Sequence, residues 1–250
     1  PAIGVAYLLC RLADTIEDNA ALAPEAKRTR FRLLVEALDH PEAAETLRAQ
    51  LVDELAGATE DEAALVADAH RVLELFRALP QEQQIPVHRC VAIMSHGMGQ
   101  FEDLKGPYGL PSTDLFNSYC YRVAGVVGEM LTDLFALHVP AVARNQAALR
   151  RRAVAFGQGL QMTNILKDVP TDGAKGVCWL PRDVMIRHGC QPQQPGDWGG
   201  PGYRAAIREL VAAAHAHLQQ AQDYTLAIPA DQPGIRRFCG WAVTMAAYTL

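Results

Sequence analysis

Apolar residues recur along this chain at intervals of three and four. Leu65, Ala69, Val72, Leu73 and Phe76 fall on one side of a helix, as do Val87, Val91, Met94 and Met98. Read with its punctuation, the pattern predicts helices over 1–18, 24–38, 41–55, 61–79, 83–104, 112–138, 145–168, 203–227 and 234–250. Pro24 opens one of them at its first turn, where a missing N–H costs nothing. Pro80 breaks another, and Ser112-Thr113-Asp114 offers capping side chains to the long helix that follows. Lys105-Gly106-Pro107-Tyr108-Gly109 reads as a loop, and residues 172–202, rich in Gly, Pro and Gln, as a loop holding one short helix. There is no internal repeat and no low-complexity linker. The expectation is one all-α domain spanning 1–250, with facing helices around a central cavity.

Composition agrees. Half of the 250 residues are apolar and a fifth are charged, an ordinary balance for a soluble globular protein with a large core. Aromatic residues make up 7%, and β-rich runs are scarce, which favours helices. A formal net charge of −5 gives no reason to expect nucleic acid as a partner. The six cysteines, Cys10, Cys90, Cys120, Cys178, Cys190 and Cys239, are dispersed and lack metal-type spacing. They read as buried thiols in a reducing, cytoplasmic compartment. No signal peptide and no membrane-spanning apolar run is visible, although the chain starts and stops inside what read as helices.

Charge changes the picture at two places. Residues 1–13 carry one charge, Arg11, and then a burst of acids follows in Asp14-Thr15-Ile16-Glu17-Asp18. The second burst is Asp168-Val169-Pro170-Thr171-Asp172. In each, two aspartates stand four residues apart, so a helix would place both carboxylates on one face about one turn apart. Acids at a helix C-terminus also oppose the macrodipole, by about 0.3–1 kcal/mol per charge. Paired carboxylates of this kind hold Mg²⁺ through one or two oxygens each and leave its other positions to water and phosphate. Two such pairs facing each other would cage a diphosphate, whereas a solvated acidic cap is the alternative for either pair alone. Gln161, Asn164 and Asp168 share one helical face, a polar stripe that must be paired in a core network or at a hydrated metal–diphosphate cluster.

The flanks of these clusters carry a family resemblance. Tyr7-Leu8-Leu9-Cys10-Arg11-Leu12-Ala13-Asp14-Thr15-Ile16-Glu17-Asp18 resembles the first signature of squalene and phytoene synthases. Gln161-Met162-Thr163-Asn164-Ile165-Leu166-Lys167-Asp168 resembles their second, with Gly176-Val177-Cys178-Trp179-Leu180-Pro181 trailing it. Between them, Tyr119-Cys120-Tyr121-Arg122-Val123-Ala124-Gly125-Val126-Val127-Gly128 is similar to the tyrosine-bearing segment of the same enzymes. Phe238-Cys239 and His96-Gly97-Met98-Gly99-Gln100-Phe101 look closer to squalene synthases than to phytoene synthases.

The resemblance implies the isoprenoid-synthase helical fold and two or three Mg²⁺ ions acting on prenyl diphosphates. Asp14, Glu17, Asp18, Asn164, Asp168 and Asp172 are then the candidate metal ligands. Arg11, Gln161, Asn164 and Lys167 would hold substrate phosphate, and Gly125 and Val126 would wall a dry tail pocket, with Tyr121 a second substrate contact. Tyr119 aligns with the family's catalytic tyrosine, and a phenol could move a proton, face a cation or hydrogen-bond the diphosphate. Each has a plainer alternative: a salt bridge from Arg11 to Asp14 or Glu17, close helix packing at Gly125 and Gly128, and a core role for Tyr119. The family usually has a further helix before and a further portion after the stretch seen here.

The second cluster departs from the family pattern. Thr171 stands where a Glu usually precedes the final Asp, and Arg122 where an aromatic residue is common. Pro170 disfavours the helical conformation at Val169 and removes a donor, so the helix is expected to end near Asp168 and Asp172 to leave the shared face.

The implied activity is head-to-head coupling of two farnesyl diphosphates through presqualene diphosphate to squalene or a related thirty-carbon product, with NADPH consumed in the squalene case. Phytoene synthesis from geranylgeranyl diphosphate needs the same residues and a deeper pocket, and a non-catalytic helical scaffold is a third alternative. A peripheral membrane contact would serve release of so apolar a product. Oligomeric state is not readable from the sequence.

Overall fold

The structure is a computed structural model that describes residues 1–54, 59–190 and 200–250. Among these residues it is all-α, with thirteen α-helices and no strand, and one isolated bridge pairs Leu110 with Pro181. The expected end of the third helix at Leu55, and the part of the expected loop over 191–199, lie outside the described residues. No described helix is long and apolar enough to cross a membrane.

The chain forms two compact units. The first comprises Pro1–Asp103 and Asp133–His138. It contains α1 (Ala2–Asp18), α2 (Pro24–Asp39), α3 (Pro41–Asp53), α4 (Glu60–Ala67), α5 (Ala69–Arg77) and α6 (Gln81–Phe101). Val5, Ala6, Leu9, Leu12, Ala13 and Ile16 form the apolar stripe of α1 and are buried in its core, with Phe31 and Leu34 from α2 and Met94 and Met98 from α6. Burying one such side chain contributes about 1.5–3 kcal/mol, which is what fixes the rotation of α1 and turns its polar positions outward.

One expected helix here is two. The stretch read as 61–79 breaks at Asp68, whose backbone (φ −95°, ψ 8°) is not helical. Asp68 Oδ1 meets Arg71 at 3.3 Å, and its carbonyl accepts from the Arg71 and Val72 amides. A short acid that bonds locally competes with helix continuation, and the uninterrupted apolar spacing across it concealed the break.

The second unit comprises Leu104–Thr132 and Val139–Leu250. It holds α7 (Thr113–Cys120), the first half of α8 (Val126–His138), α9 (Pro140–Arg144), α10 (Gln146–Ala174), α11 (Arg182–Arg187), α12 (Pro201–Ala227) and α13 (Pro233–Thr249). The Ser112 hydroxyl caps α7 by accepting from the Leu115 amide at 3.3 Å, as the sequence suggested. The expected single helix over 112–138 is continuous but contains one π-helical turn at Tyr121–Gly125, closed by the Val126 amide on the Tyr121 carbonyl.

Glycines let this segment lie on α10. A Cβ at Gly128 would come within 2.2 Å of the Ala153 carbonyl oxygen, and one at Gly157 within 2.1 Å of the Ala124 oxygen. Backbone lies on backbone here, so Gly128 serves close helix packing, one of the two alternatives the sequence left open.

The largest departure is at Pro170. The expected stop near Asp168 does not occur: α10 runs through the proline to Ala174. Proline withdraws a single donor, and the long helix is otherwise held by its packing on α12. The stop lies further on, at Gly176, whose φ of +73° reverses the chain. The Val177 amide bonds the Asp172 carbonyl at 2.9 Å and the Gly176 amide the Gly173 carbonyl at 3.0 Å, a Schellman closure. Asp172 therefore remains on the helix, one turn beyond Asp168.

Candidate active-site residues

In the first unit, Arg11, Asp14 and Asp18 follow one another along the polar side of α1. The Arg11 guanidinium donates to Asp14 Oδ2 at 3.0 Å and to Glu62 Oε1 at 3.4 Å, so the expected salt bridge to Asp14 is present and a second partner joins it. Glu62 is held in turn by the capping box of α4, where it accepts from the Thr59 amide at 2.9 Å. Those Thr59 bonds keep the Glu62 carboxyl below its usual range, so it stays anionic and anchors Arg11. Glu62 was not foreseen as part of this group, although Thr59-Glu60-Asp61-Glu62 carries the capping-box signature.

Asp14 is the group under tension. Burial pushes its carboxyl above the ordinary value, Arg11 opposes the rise, and Asp18 adds to it. Its side chain keeps 32% of its exposure, and Asp18 is exposed. A divalent cation arriving at this face would offset both the cost of burying the Asp14 charge and its repulsion from Asp18. Glu17, half-buried on the same turn, has its backbone carbonyl bonded by the Lys27 ammonium.

In the second unit, α10 carries Gln161, Asn164, Lys167, Asp168 and Asp172. Gln161 is half-buried and Asn164 exposed. Lys167 Nζ lies 3.4 Å from Asp168 Oδ2, with both side chains about half-exposed. Asp172 is half-buried one turn on. Within either unit, among the described residues, no three His, Cys, Asp or Glu side chains gather as a metal cage. The donor chemistry nonetheless fits Mg²⁺, since hard carboxylate oxygens in helical pairs suit an ion that keeps water and phosphate in most of its positions.

Tyr119 on α7 is 4% exposed and stacks on Trp179, with ring centroids 4.1 Å apart and planes 9° from parallel. The Lys105 ammonium lies 5.7 Å from the centre of the Trp179 ring. Trp179 reaches this position because the strand-like stretch after α10 is zipped to the loop before α7. The Cys178 amide bonds the Gly106 carbonyl at 2.9 Å, the Leu110 amide bonds the Leu180 carbonyl at 2.9 Å, and the Arg182 amide bonds the Leu110 carbonyl at 2.7 Å. Gly109, at φ +76°, permits the approach, since a Cβ there would stand 2.4 Å from the Leu180 oxygen. Sequence alone quoted Trp179 as part of a flank and gave it no role.

Tyr121 donates to Glu129 Oε2 at 3.2 Å, and Arg150 donates to Glu129 Oε1 at 3.2 Å. Val126 is fully buried, and Gly125 is buried beside Val154. On α13, Phe238 is exposed and Cys239 buried. Of the six cysteines, all unbridged, four are buried; Cys10 and Cys178 are half-buried rather than buried as expected.

The squalene/phytoene synthase family profile matches residues 1–250, and the chain belongs to that family. Squalene synthase ERG9 of Candida albicans is 27% identical over 258 residues, covering all of this chain and 55% of its own length. The phytoene synthase of Thermus thermophilus is 35% identical over 112 residues, 44% of this chain and 36% of its own. The chain thus spans about half the length of the squalene synthases it matches. Among solved structures, a ligand complex of TcSQS superposes with a TM-score of 0.77 at 21% identity, covering 99% of this chain and 69% of that one. Squalene synthase HpnC from Alicyclobacillus acidocaldarius gives 0.65 at 18% identity, covering 100% and 80%. These likenesses show the fold, the all-α isoprenoid-synthase fold.

Proposed function

We propose that this chain is the catalytic portion of a prenyltransferase that joins two farnesyl diphosphates head to head, through presqualene diphosphate, to squalene or a related thirty-carbon product. The observation that carries the proposal is the survival of both aspartate pairs on intact helices, Asp14 and Asp18 on α1 and, through Pro170, Asp168 and Asp172 on α10.

Mg²⁺ would supply the Lewis acidity that lets diphosphate leave an allylic carbon. On α1, Asp14 and Asp18 would hold it with Glu17; on α10, Asp168 and Asp172 would do so with Asn164. Arg11, already steered by Glu62, would swing between Asp14 and a phosphate oxygen, and Lys167 would act as a point charge beside Asp168. Gln161 would hydrogen-bond the diphosphate. The ring of Tyr119, backed by Trp179, offers a rigid π-face to an allylic cation, and its phenol offers a proton site. Tyr121, committed to Glu129, would act through that pair, while Gly125 and Val126 keep the surrounding core dry.

The squalene reading draws support from squalene synthases that match across all of this chain and from Phe238-Cys239. Phytoene synthesis from geranylgeranyl diphosphate is the second reading, favoured by the higher local identity to the Thermus enzyme. The test is incubation with farnesyl or geranylgeranyl diphosphate and Mg²⁺, with and without NADPH, followed by mass analysis. A thirty-carbon product from farnesyl diphosphate is expected, and its hydrogen count and NADPH dependence identify squalene. A forty-carbon product from geranylgeranyl diphosphate alone would replace the first reading with the second. No product from either, with no Mg²⁺-dependent binding of a diphosphate analogue, would overturn both in favour of a scaffold.

A further inference from the structure

Lys27 is a buried lysine, 6% exposed, on the first turns of α2. Its ammonium donates to the backbone carbonyl of Glu17, the penultimate residue of α1, and lies 3.5 Å from Glu102 Oε2. Glu102 is the C-cap residue immediately after α6, and it too is 6% exposed. One buried cation therefore sits where the C-terminal ends of two helices meet, and both ends carry the negative pole of a macrodipole. Beside it, Arg28 bonds Asp103 at 2.9 Å, so two consecutive cations of α2 clamp two consecutive acids at the end of α6. α1 has no basic residue in its last turn, where the acids Glu17 and Asp18 stand, and its C-cap Asn19 is extended. The last carbonyls of such a turn have no partner within the helix, and a cation that donates to them stabilises the turn.

We propose that Lys27 is a positioning residue for the first acidic cluster: by holding the Glu17 carbonyl, with Glu102 as its counter-ion, it keeps the last turn of α1 helical so that Asp14 and Asp18 stay one turn apart. The part of this inference that concerns metal rests on the reading of these acids as Mg²⁺ ligands. The part that concerns the helix does not. The sequence pointed away from Lys27, since lysine is rarely buried and 75 residues separate it from its counter-ion.

The experiment removes the cation without stranding its partner. Lys27→Met alone would take from the buried Glu102 the cation beside it and would report on folding. The Lys27→Met/Glu102→Gln double variant keeps the volume and removes both charges, and Lys27→Arg restores a cation. Amide hydrogen exchange by mass spectrometry is read over 15–19 and, as controls, over the first turns of α1 and over α10. Mg²⁺ dependence of prenyl-diphosphate turnover is read on the same samples. In the double variant we expect exchange over 15–19 to rise at least tenfold with the controls unchanged. The Mg²⁺ concentration for half-maximal rate should rise by about the same factor, while kcat at saturating Mg²⁺ falls less than threefold. Lys27→Arg should recover most of both. Unchanged exchange over 15–19, or a uniform rise across α1, would overturn the positioning role. Raised local exchange with an unchanged Mg²⁺ requirement would overturn the link to metal. If the parent protein shows no Mg²⁺ response at all, the proposed function falls, and with it the metal link, while the exchange result still decides the role of Lys27.

Discussion

The phenol ring of Tyr119 lies flat on the indole of Trp179, 4.1 Å between centroids, and both residues are at least nine-tenths buried. Stacked rings at this distance add about 0.5–1.5 kcal/mol beyond their burial and leave the tyrosine little rotational freedom. Trp179→Ala should therefore cost about 3–5 kcal/mol, and Trp179→Phe about 1 kcal/mol, in urea unfolding. Tyr119→Phe keeps the stack and should leave stability within about 1 kcal/mol while product formation falls at least about 100-fold. Parent-like turnover in Tyr119→Phe would remove the hydroxyl from the chemistry and leave the ring face as its contribution.

Asp14 links stability to function with opposite signs. Its carboxyl is raised chiefly by burial, so the native state binds that proton more tightly than the unfolded chain does. Stability from this group is then present below the ordinary carboxylate value and lost as pH climbs through the raised native one. Asp14→Asn removes the cost. Thermal melts should show the variant above the parent at pH 7, with the gap closing near pH 3, while turnover falls at least about 100-fold. A variant less stable than the parent at pH 7 would show that the Arg11 ion pair outweighs burial.

Because α10 continues through Pro170, Asp168 and Asp172 should matter alike. Asp168→Ala and Asp172→Ala are each expected to lower kcat/KM by at least about 100-fold without unfolding the protein. An Asp172→Ala loss under about tenfold would contradict a shared metal-binding face.

The Schellman closure that ends α10 can be weakened alone. Gly176 has φ +73° with nothing within 4 Å of a built Cβ, so Gly176→Ala brings backbone strain and no clash. A loss of about 1–2 kcal/mol is expected. Gly128→Ala, whose Cβ would meet backbone at 2.2 Å, should cost about 3 kcal/mol or more, because a carbonyl on a packed helix cannot step aside. Equal losses at the two glycines would contradict the close packing of α8 on α10.

Much of this protein is legible without coordinates. The helices at 1–18, 24–38 and 203–227 sit within one or two residues of their predicted bounds, because apolar spacing and proline starts are local signals. The candidate aspartate pairs of α1 and α10 stand out in the same way, from acids spaced one helical turn apart. Asp68 escaped because its break leaves the apolar spacing intact. Pro170 misled because a local penalty for proline was weighed without the packing that overrides it, while Lys175-Gly176, a true stop signal, stood six residues further on.

The sequence by itself determined the helical class, the two acid-bearing helix faces and the resemblance to an enzyme family, since each depends on residues within a few turns of one another. Tertiary structure alone decided which groups serve those faces. Glu62 on Arg11, Lys27 on Glu17 and on Glu102, and Trp179 on Tyr119 pair residues 51, 10, 75 and 60 positions apart in the chain, one of them at a helix end that no periodicity marks. Such pairings are set by where packed helices cross, and a one-dimensional pattern records the stripe that a helix buries without recording the neighbour that it meets.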